Sequence, residues 1–433
     1  MRFYLETLGC RLNFSEMERL ARQLSVRGHH VVYAPEEADV CVLNTCAVTT
    51  MAEAKSRALA RSLAKSNPQA RLAITGCYAT LAPEQIAQLP QVYLIADNQA
   101  KDALADTLAS WAGEQPDQPP AAVTEPGQAP FAATRTRAFV KVQDGCNNHC
   151  TFCIVATARG AERSHPLDSV IAEIDALVAQ GYQEAVLTGV HLGAYGRDLG
   201  LDLKELVQAI LVQTRLPRLR LSSLEPWDLA PDFFDLWAAS AGRLCPHLHL
   251  PLQSGCDDTL HRMGRRYSAD AYADLAAVAR ARIAGLTLTT DIIVGFPGET
   301  DAEFEESRRF IESIGFAHLH VFPYSRRPGT PAARMKGAVA DEVKRQRGAH
   351  MREVDALSGQ AVRRSHLNQV RPVLWEGEGR DSGSFQQQVW AGLTDSYLRV
   401  LTMAPADLDL CNRITPVRLH RLEGDALWGE VTS

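Results

Sequence analysis

The chain has 433 residues, a formal net charge of −6, 46% hydrophobic and 22% charged residues, an ordinary globular make-up with room for about two to four domains. This excludes nucleic-acid binding by bulk positive charge; with no apolar run of about 18 residues, it also excludes a membrane-spanning helix. Ten cysteines behind a start, Met1-Arg2-Phe3-Tyr4-Leu5-Glu6-Thr7, that lacks an apolar leader argue against a disulfide framework and predict a cytoplasmic protein with reduced thiols.

Residues 1–114 alternate short apolar runs with helical patterns. Phe3-Tyr4-Leu5, Asp39 to Asn44, Leu72 to Thr75 and Val92 to Ile95 read as strands. Ser15 to Ser25, capped by Asn13 or Ser15, and Met51 to Ala64 read as helices. The alternation predicts an open parallel α/β sheet. Cys10, Cys46 and Cys77 each stand at the C-terminal end of a strand, after small residues. Open parallel sheets place ligand sites there, so three chain-distant thiols could meet in one cleft; burial as ordinary core cysteines is the competing reading. Cys41 lies inside a strand and reads as core. Residues 115–135, with Gln115-Pro116-Asp117-Gln118-Pro119-Pro120 and Glu125-Pro126-Gly127, read as a linker.

Residues 136–364 again alternate, giving six strand–helix units. With right-handed crossovers they can curl into a partial parallel barrel whose functional groups collect at strand C-terminal ends. After the first strand comes Gly145-Cys146-Asn147-Asn148-His149-Cys150-Thr151-Phe152-Cys153. Three thiolates supplied to a cubane iron–sulfur cluster leave one iron without a protein ligand, the mark of a catalytic site. Gly145 and the Asn residues tolerate the backbone angles that such wrapping needs. A zinc loop would pair C-x2-C with a second ligand pair, and none follows at normal spacing. Further strand ends carry Thr188-Gly189, Ser222-Ser223-Leu224-Glu225, Pro251-Leu252-Gln253 and Val294-Gly295-Phe296. Singly each reads as a turn; together, after consecutive strands, they suggest a site. Glycine lets the backbone approach a ligand, and hydroxyls with a carboxylate suit a ribose and an ammonium group. His191, His247 and His249 read as pocket lining or packing rather than metal ligands. Arg262, Arg265, Arg266, Arg326 and Arg327, with the basic residues of Asp341 to Arg364, are candidate phosphate contacts or a solvated face.

Residues 365–433 show five short strand-like runs separated by turns, predicting a small antiparallel barrel. From Ser365 onward there are six Arg or Lys against nine Asp or Glu, a balance that does not favour phosphate.

Asp144-Gly145-Cys146-Asn147 through Cys153 to Ala158-Arg159-Gly160 resembles the radical S-adenosylmethionine superfamily and, within it, the methylthiotransferase branch. The resemblance covers nearly the whole chain and implies two 4Fe–4S clusters, one on catalytic Cys146, Cys150 and Cys153 and one on Cys10, Cys46 and Cys77. It implies S-adenosylmethionine beside Phe152, Gly189, Ser222, Glu225, Gln253 and Gly295, with Phe152 next to the adenine, and it likens the last segment to an RNA-binding TRAM domain. The implied reaction begins with a 5′-deoxyadenosyl radical that takes hydrogen from the substrate, which then collects a methylthio group from the second cluster. The strings around Gly189, Ser222 and Gln253 resemble most the enzymes acting at C2 of N6-threonylcarbamoyladenosine, beside the anticodon of tRNA. Expected partners are therefore a tRNA anticodon stem-loop, a reducing donor such as a flavodoxin or ferredoxin, and a sulfur donor. A sister enzyme for isopentenyladenosine or for a ribosomal-protein aspartate, and a non-enzymatic iron–sulfur RNA-binding protein, are the alternatives. Ala156-Thr157 departs from the family's usual Pro-Tyr, and Cys256 from its usual small hydroxyl residue.

Overall fold

The computed structural model describes residues 1–111, 136–381 and 386–432; the expected linker 115–135 lies outside them. Strands β1 (Arg2–Thr7), β2 (His30–Val32), β3 (Val40–Thr45), β4 (Arg71–Gly76) and β5 (Val92–Ala96) form one parallel sheet in the order β2-β1-β3-β4-β5. Helices α1 (Arg11–Val26), α2 (Thr50–Ser66), α3 (Cys77–Leu81), α4 (Pro83–Ala87) and α5 (Leu104–Ser110) cover it. Every residue of β3 is buried, because both faces are covered. Val40 and Val42 pack with Phe3, Leu20 and Leu104 on one side, while Cys41 and Leu43 pack with Leu63 and Ile86 on the other.

Helix α1 starts four residues earlier than Ser15, with Cys10 at its N-cap and no side-chain cap. Asn13 does not cap it. Its amide donates instead to the carbonyls of Leu8 (2.7 Å) and Thr45 (3.2 Å), tying two strand-end loops together.

The middle of the chain opens with β6 (Arg137–Lys141), followed by a short antiparallel pair, β7 (Gln143–Asp144) and β8 (Arg163–Ser164). Between β7 and β8 lies helix α6 (Val155–Arg159). Strands β9 (Glu184–Thr188), β10 (Arg218–Leu221), β11 (His247–His249), β12 (Thr287–Val294) and β13 (His318–Pro323) follow. They form two parallel sheets, β10-β9-β6 and β11-β12-β13, joined by the bridges Leu219–Leu244 and Ser223–His249 into a six-stranded partial barrel. Alternate residues such as Val140, Leu187, Leu221, Leu248, Leu288 and Leu319 pack outward against helices. The intervening residues leave a polar lumen that includes Lys141, Glu184, Arg220, His249, Asp291 and His320. Helix α1 packs against β6, the free edge of the first sheet.

Strands β14 (Val370–Asp381), β15 (Gln387–Thr394), β16 (Arg399–Pro405), β17 (Ile414–Glu423) and β18 (Ala426–Val431) close a barrel in the order β14-β15-β16-β18-β17. It is not wholly antiparallel as expected. β16 pairs with β18 in parallel, because the second strand of the β17–β18 hairpin, not the first, meets β16. The third strand begins at Arg399, and Tyr397 stands in the preceding turn at φ +70°.

This barrel docks where the lumen strands begin. Arg218 donates to the carbonyls of Pro372 and Leu393, both at 3.3 Å, and Arg220 to that of Asp395 at 3.0 Å. Tyr397 enters the lumen and lies against His247, ring centroids 4.9 Å apart. No helix among the described residues is long and apolar enough to cross a membrane.

Candidate active site

The loop carrying Cys146, Cys150 and Cys153 runs from β7 to α6. Gly145 sits at φ +73°, and a Cβ there would lie 1.9 Å from the carbonyl oxygen of Ala161. Only glycine therefore allows Cys146 to donate its backbone N–H to Gly160 at 3.0 Å. Thr151 ties the loop to the far side of the barrel, donating to Met263 and accepting from Ala332, both at 2.9 Å. Each sulfur has a donor aimed at it: the Asn148 N–H on Cys146 at 3.4 Å, the Val155 N–H on Cys153 at 3.4 Å, and Arg265 on Cys150 at 3.6 Å. Burial pushes the Cys153 thiol up to about 12 and raises that of Cys150. Such thiols ionise when a metal's positive charge replaces the lost hydration.

Arg265 is buried. It pairs bidentately with Glu225 at 2.5 and 3.3 Å, donates to the Pro251 carbonyl at 2.8 Å and lies 4.5 Å from the Trp227 ring. It is thus no phosphate contact, contrary to expectation, because its charge is used inside the barrel. Arg262 is bound to Glu303, Arg327 to Glu53 and Arg347 to Glu299. Gln143 joins the strand ends to the loop, donating to Gly145 at 2.8 Å and accepting the His191 N–H at 2.8 Å. Gly189 is packed so closely on it that a Cβ would lie 2.9 Å from Gln143 Oε1.

Ser222 Oγ is buried and has no hydrogen-bond partner. An orphaned hydroxyl three residues before Glu225 on the same strand-end loop suits a polar ligand there. Gln253 takes φ +71° and is held by Asp291 and Ile293 backbone bonds of 2.8 and 2.9 Å. Phe152 meets Phe296 edge-on, centroids 6.5 Å apart, and Gly295, at φ +73°, donates to Glu299 at 3.0 Å.

His191 and His249 have carboxylate partners that are distant in the chain. His191 meets Asp228 at 2.5 Å and Glu162 at 2.8 Å. Burial works against its charge, but Asp228, Cys146 and Glu162 reverse this and take the imidazole up to about 10. His247 and His249 both share hydrogen bonds with Thr289, at 3.1 and 2.9 Å.

Cys10, Cys46 and Cys77 end β1, β3 and β4, three adjacent strands, so parallel register brings their loops side by side. Gly9 takes φ +107°, and a Cβ there would lie 2.8 Å from Cys46 Sγ. Cys10 is exposed, Cys46 and Cys77 are buried, and burial lifts the Cys46 thiol to about 11. Asn98 donates to Cys77 Sγ at 3.7 Å and to the Ala158 carbonyl at 2.7 Å, while Asn13 Oδ1 lies 3.7 Å from Cys10 Sγ.

Arg159 joins this group to the barrel. It is 2% exposed and donates to Asn13 (2.7 Å), Glu16 (2.8 Å) and Asp144 (3.0 Å). Lys141 reaches Glu16 at 3.1 Å and Asp144 at 2.6 Å, and Lys101 also pairs with Glu16. Burial opposes the Glu16 charge, yet Arg159, Lys101 and Lys141 hold its carboxyl well below the usual range. Three cations against two carboxylates leave net positive charge beside the thiols. Convergent thiols, sulfur-directed donors and positive charge make a donor set that suits an anionic iron–sulfur cluster. Sequence reading missed the role of Gln143, took Arg265 only as a candidate phosphate contact and missed the Glu16–Lys101–Lys141–Arg159 network. The sequence signals at these positions were the basic run containing Arg265 and the Ala158-Arg159-Gly160 string of the family resemblance.

Residues 2–96 match the family model described as uncharacterized protein family UPF0004, and residues 140–311 that of the radical SAM superfamily. The chain is 35% identical to the threonylcarbamoyladenosine tRNA methylthiotransferase MtaB of Bacillus subtilis, over 93% of this chain and 90% of that one. Its identity to the protein of the same name from Thermotoga maritima is 38%, over 86% of each. It is also 31% identical to a tRNA-2-methylthio-N(6)-dimethylallyladenosine synthase of Staphylococcus aureus, over 99% of this chain and 84% of that one. Among solved structures, the radical S-adenosylmethionine methyltransferase TsrM of Kitasatospora setae shares the fold, with a TM-score of 0.56 at 15% identity over 76% of this chain and 74% of that one. With two domain models in order and such identity along most of its length, the chain belongs to the radical S-adenosylmethionine methylthiotransferases.

Proposed function

We propose that this protein methylthiolates C2 of N6-threonylcarbamoyladenosine next to the anticodon of tRNA. The observation that carries the reading is the closeness of the two thiol groups. Cys153 accepts from Val155 at the start of α6, and Asn98 links Cys77 to Ala158 near its end. A five-residue helix spans only about 7 Å. Both cysteine sets can therefore face one substrate base. The relatives named for threonylcarbamoyladenosine match at higher identity than those named for dimethylallyladenosine.

When bound, a 4Fe–4S cluster on Cys146, Cys150 and Cys153 supplies reductive cleavage of S-adenosylmethionine, and one on Cys10, Cys46 and Cys77 supplies the sulfur. The chain's own residues set the geometry. Arg265 holds Glu225 beside Cys150, where that carboxylate and Ser222 can bind the cofactor's ammonium and ribose. Phe152 and Gly295 wall its adenine side, and Gly189 and Gln253 let backbone come close to it. Glu16, Arg159 and Asp144 fix α1 and α6 together, so the two cysteine groups keep one separation. A low-potential donor such as a flavodoxin or ferredoxin and a separate sulfur donor complete the cycle.

The test is an anaerobic assay of reconstituted protein with an anticodon stem-loop carrying threonylcarbamoyladenosine or isopentenyladenosine. Mass spectrometry should find the 2-methylthio product on the first. A Cys10, Cys46 and Cys77 triple alanine variant should still form 5′-deoxyadenosine while methylthio insertion disappears. Methylthio product from that variant, or product only on isopentenyladenosine, overturns the reading.

A further inference from the structure

The lumen below the strand-end loops holds an unbalanced charge. Three guanidiniums, those of Arg11, Arg137 and Arg220, lie around the Tyr397 ring at 5.5, 5.4 and 4.5 Å. Two are neutralised: Arg220 binds Glu184 at 2.7 Å, and Arg137 pairs with Glu376. Arg11 is not. Its side chain donates to the Tyr397 hydroxyl at 3.3 Å, and among the described residues no carboxylate pairs with it. An arginine stays charged at any physiological pH, and a partly buried one without a counter-charge is unfavourable. Tyr397 holds it from a turn at φ +70°, a conformation that a bulky residue seldom adopts. The field of Arg11 also reaches His247 and His320 on the lumen wall. His320 itself is open to solvent, and Arg11 is only partly buried.

The position of Arg11 matters as much as its charge. It follows Cys10 directly, beside the thiols assigned above to sulfur delivery. In adenine, C2 and the N6-bearing carbon belong to the same six-membered ring. Whatever reads the N6 substituent must therefore stand close to the group that delivers sulfur to C2. A threonylcarbamoyl substituent ends in a free carboxylate; a dimethylallyl substituent carries no charge. A guanidinium is the side chain best matched to a carboxylate.

Resting on the function proposed above, we infer that Arg11, oriented by the Tyr397 hydroxyl, pairs with the threonyl carboxylate of the substrate and selects it over adenosines with uncharged N6 groups. Arg11 is then a substrate-binding residue and Tyr397 a positioning residue.

The experiment compares anticodon stem-loops bearing threonylcarbamoyladenosine, its carboxamide analogue and dimethylallyladenosine. Wild type, R11Q, R11K and Y397F are assayed, with Kd from fluorescence anisotropy and KM from product formation. Selectivity is the ratio of carboxylate to carboxamide RNA within one variant, so it does not depend on how many molecules carry clusters. Wild type should prefer the carboxylate. In R11Q that ratio should fall about tenfold to a hundredfold, the worth of one charge-assisted hydrogen bond. R11K should keep part of it, and Y397F should lose less than R11Q. A wild-type ratio in R11Q overturns the inference. So does an equal weakening of all three RNAs, which would mark a phosphate contact, or a parallel loss of iron and of all turnover, which would mark support of the Cys10 site. If wild type acts on dimethylallyladenosine alone, the function proposed above fails and takes this inference with it. If wild type acts on threonylcarbamoyladenosine and R11Q keeps its ratio, only this inference fails.

Discussion

At Gly145 the backbone is left-handed and the neighbouring Ala161 carbonyl fills the space a side chain would need. The strain of any substitution there falls on the Cys146 N–H bond to Gly160, and so on the closure of the loop. Gly145→Ala should therefore lower reconstituted iron from about eight to about four atoms per chain, the complement of one cubane cluster. Iron and sulfide counting on the purified variant checks this, and an unchanged count contradicts it. Gly145 was legible in the sequence as a residue suited to unusual angles. Arg265, two residues before Tyr267, was legible only as one more arginine in a basic run. Its burial against Glu225 and Cys150 depends on residues far apart in the chain.

At the scale of elements, the charged ends of β9 and β10 decide how the terminal barrel is seated. Glu184 is fully buried and binds Arg220 and Arg218, whose Nη groups also donate to the carbonyls of Pro372, Leu393 and Asp395. Burial alone would raise its pKa, but the two guanidiniums and Arg137 lower it. A lowered folded-state pKa means that the stabilisation is whole above the unfolded value, about 4.3, and is lost as pH falls through the folded value. Glu184→Gln should cost about 3 kcal/mol at neutral pH, leaving two buried guanidiniums uncompensated. It should also flatten the loss of stability below about pH 4. Denaturant unfolding at a series of pH values measures both; a variant as stable as wild type at neutral pH contradicts them. The strand and helix spans here were predictable from periodicity to within a few residues. The start of α1 was not, because Asn13, a natural cap, is used to bond the loops after β1 and β3.

At the scale of the whole molecule, Tyr397 joins all three parts. It comes from the terminal barrel, lies against His247 and Arg220 of the partial barrel, and accepts from Arg11 of the N-terminal sheet domain. Tyr397→Ala removes a stacked ring and three cation–π contacts, and should destabilise the junction by about 2–4 kcal/mol. Thermal unfolding should show the terminal barrel melting earlier, with faster proteolysis between it and the helix Asp341–Ser365. An unchanged unfolding profile would show that the junction is held elsewhere.

Local pattern was enough for the alternation of strands and helices, the six cysteines at strand ends and in one tight loop, and the small barrel at the end, because each depends on residues close together in the chain. Tertiary structure alone decided which charges are neutralised: Arg159 on Glu16 and Asp144, Arg265 on Glu225, Arg220 on Glu184, and Arg11 on no carboxylate among the described residues. It also decided the parallel pairing of β16 with β18. The physical reason is the same in each case. An ion pair or a strand pairing is an interaction between groups brought together by folding, and nothing in the neighbourhood of either partner along the chain records the other.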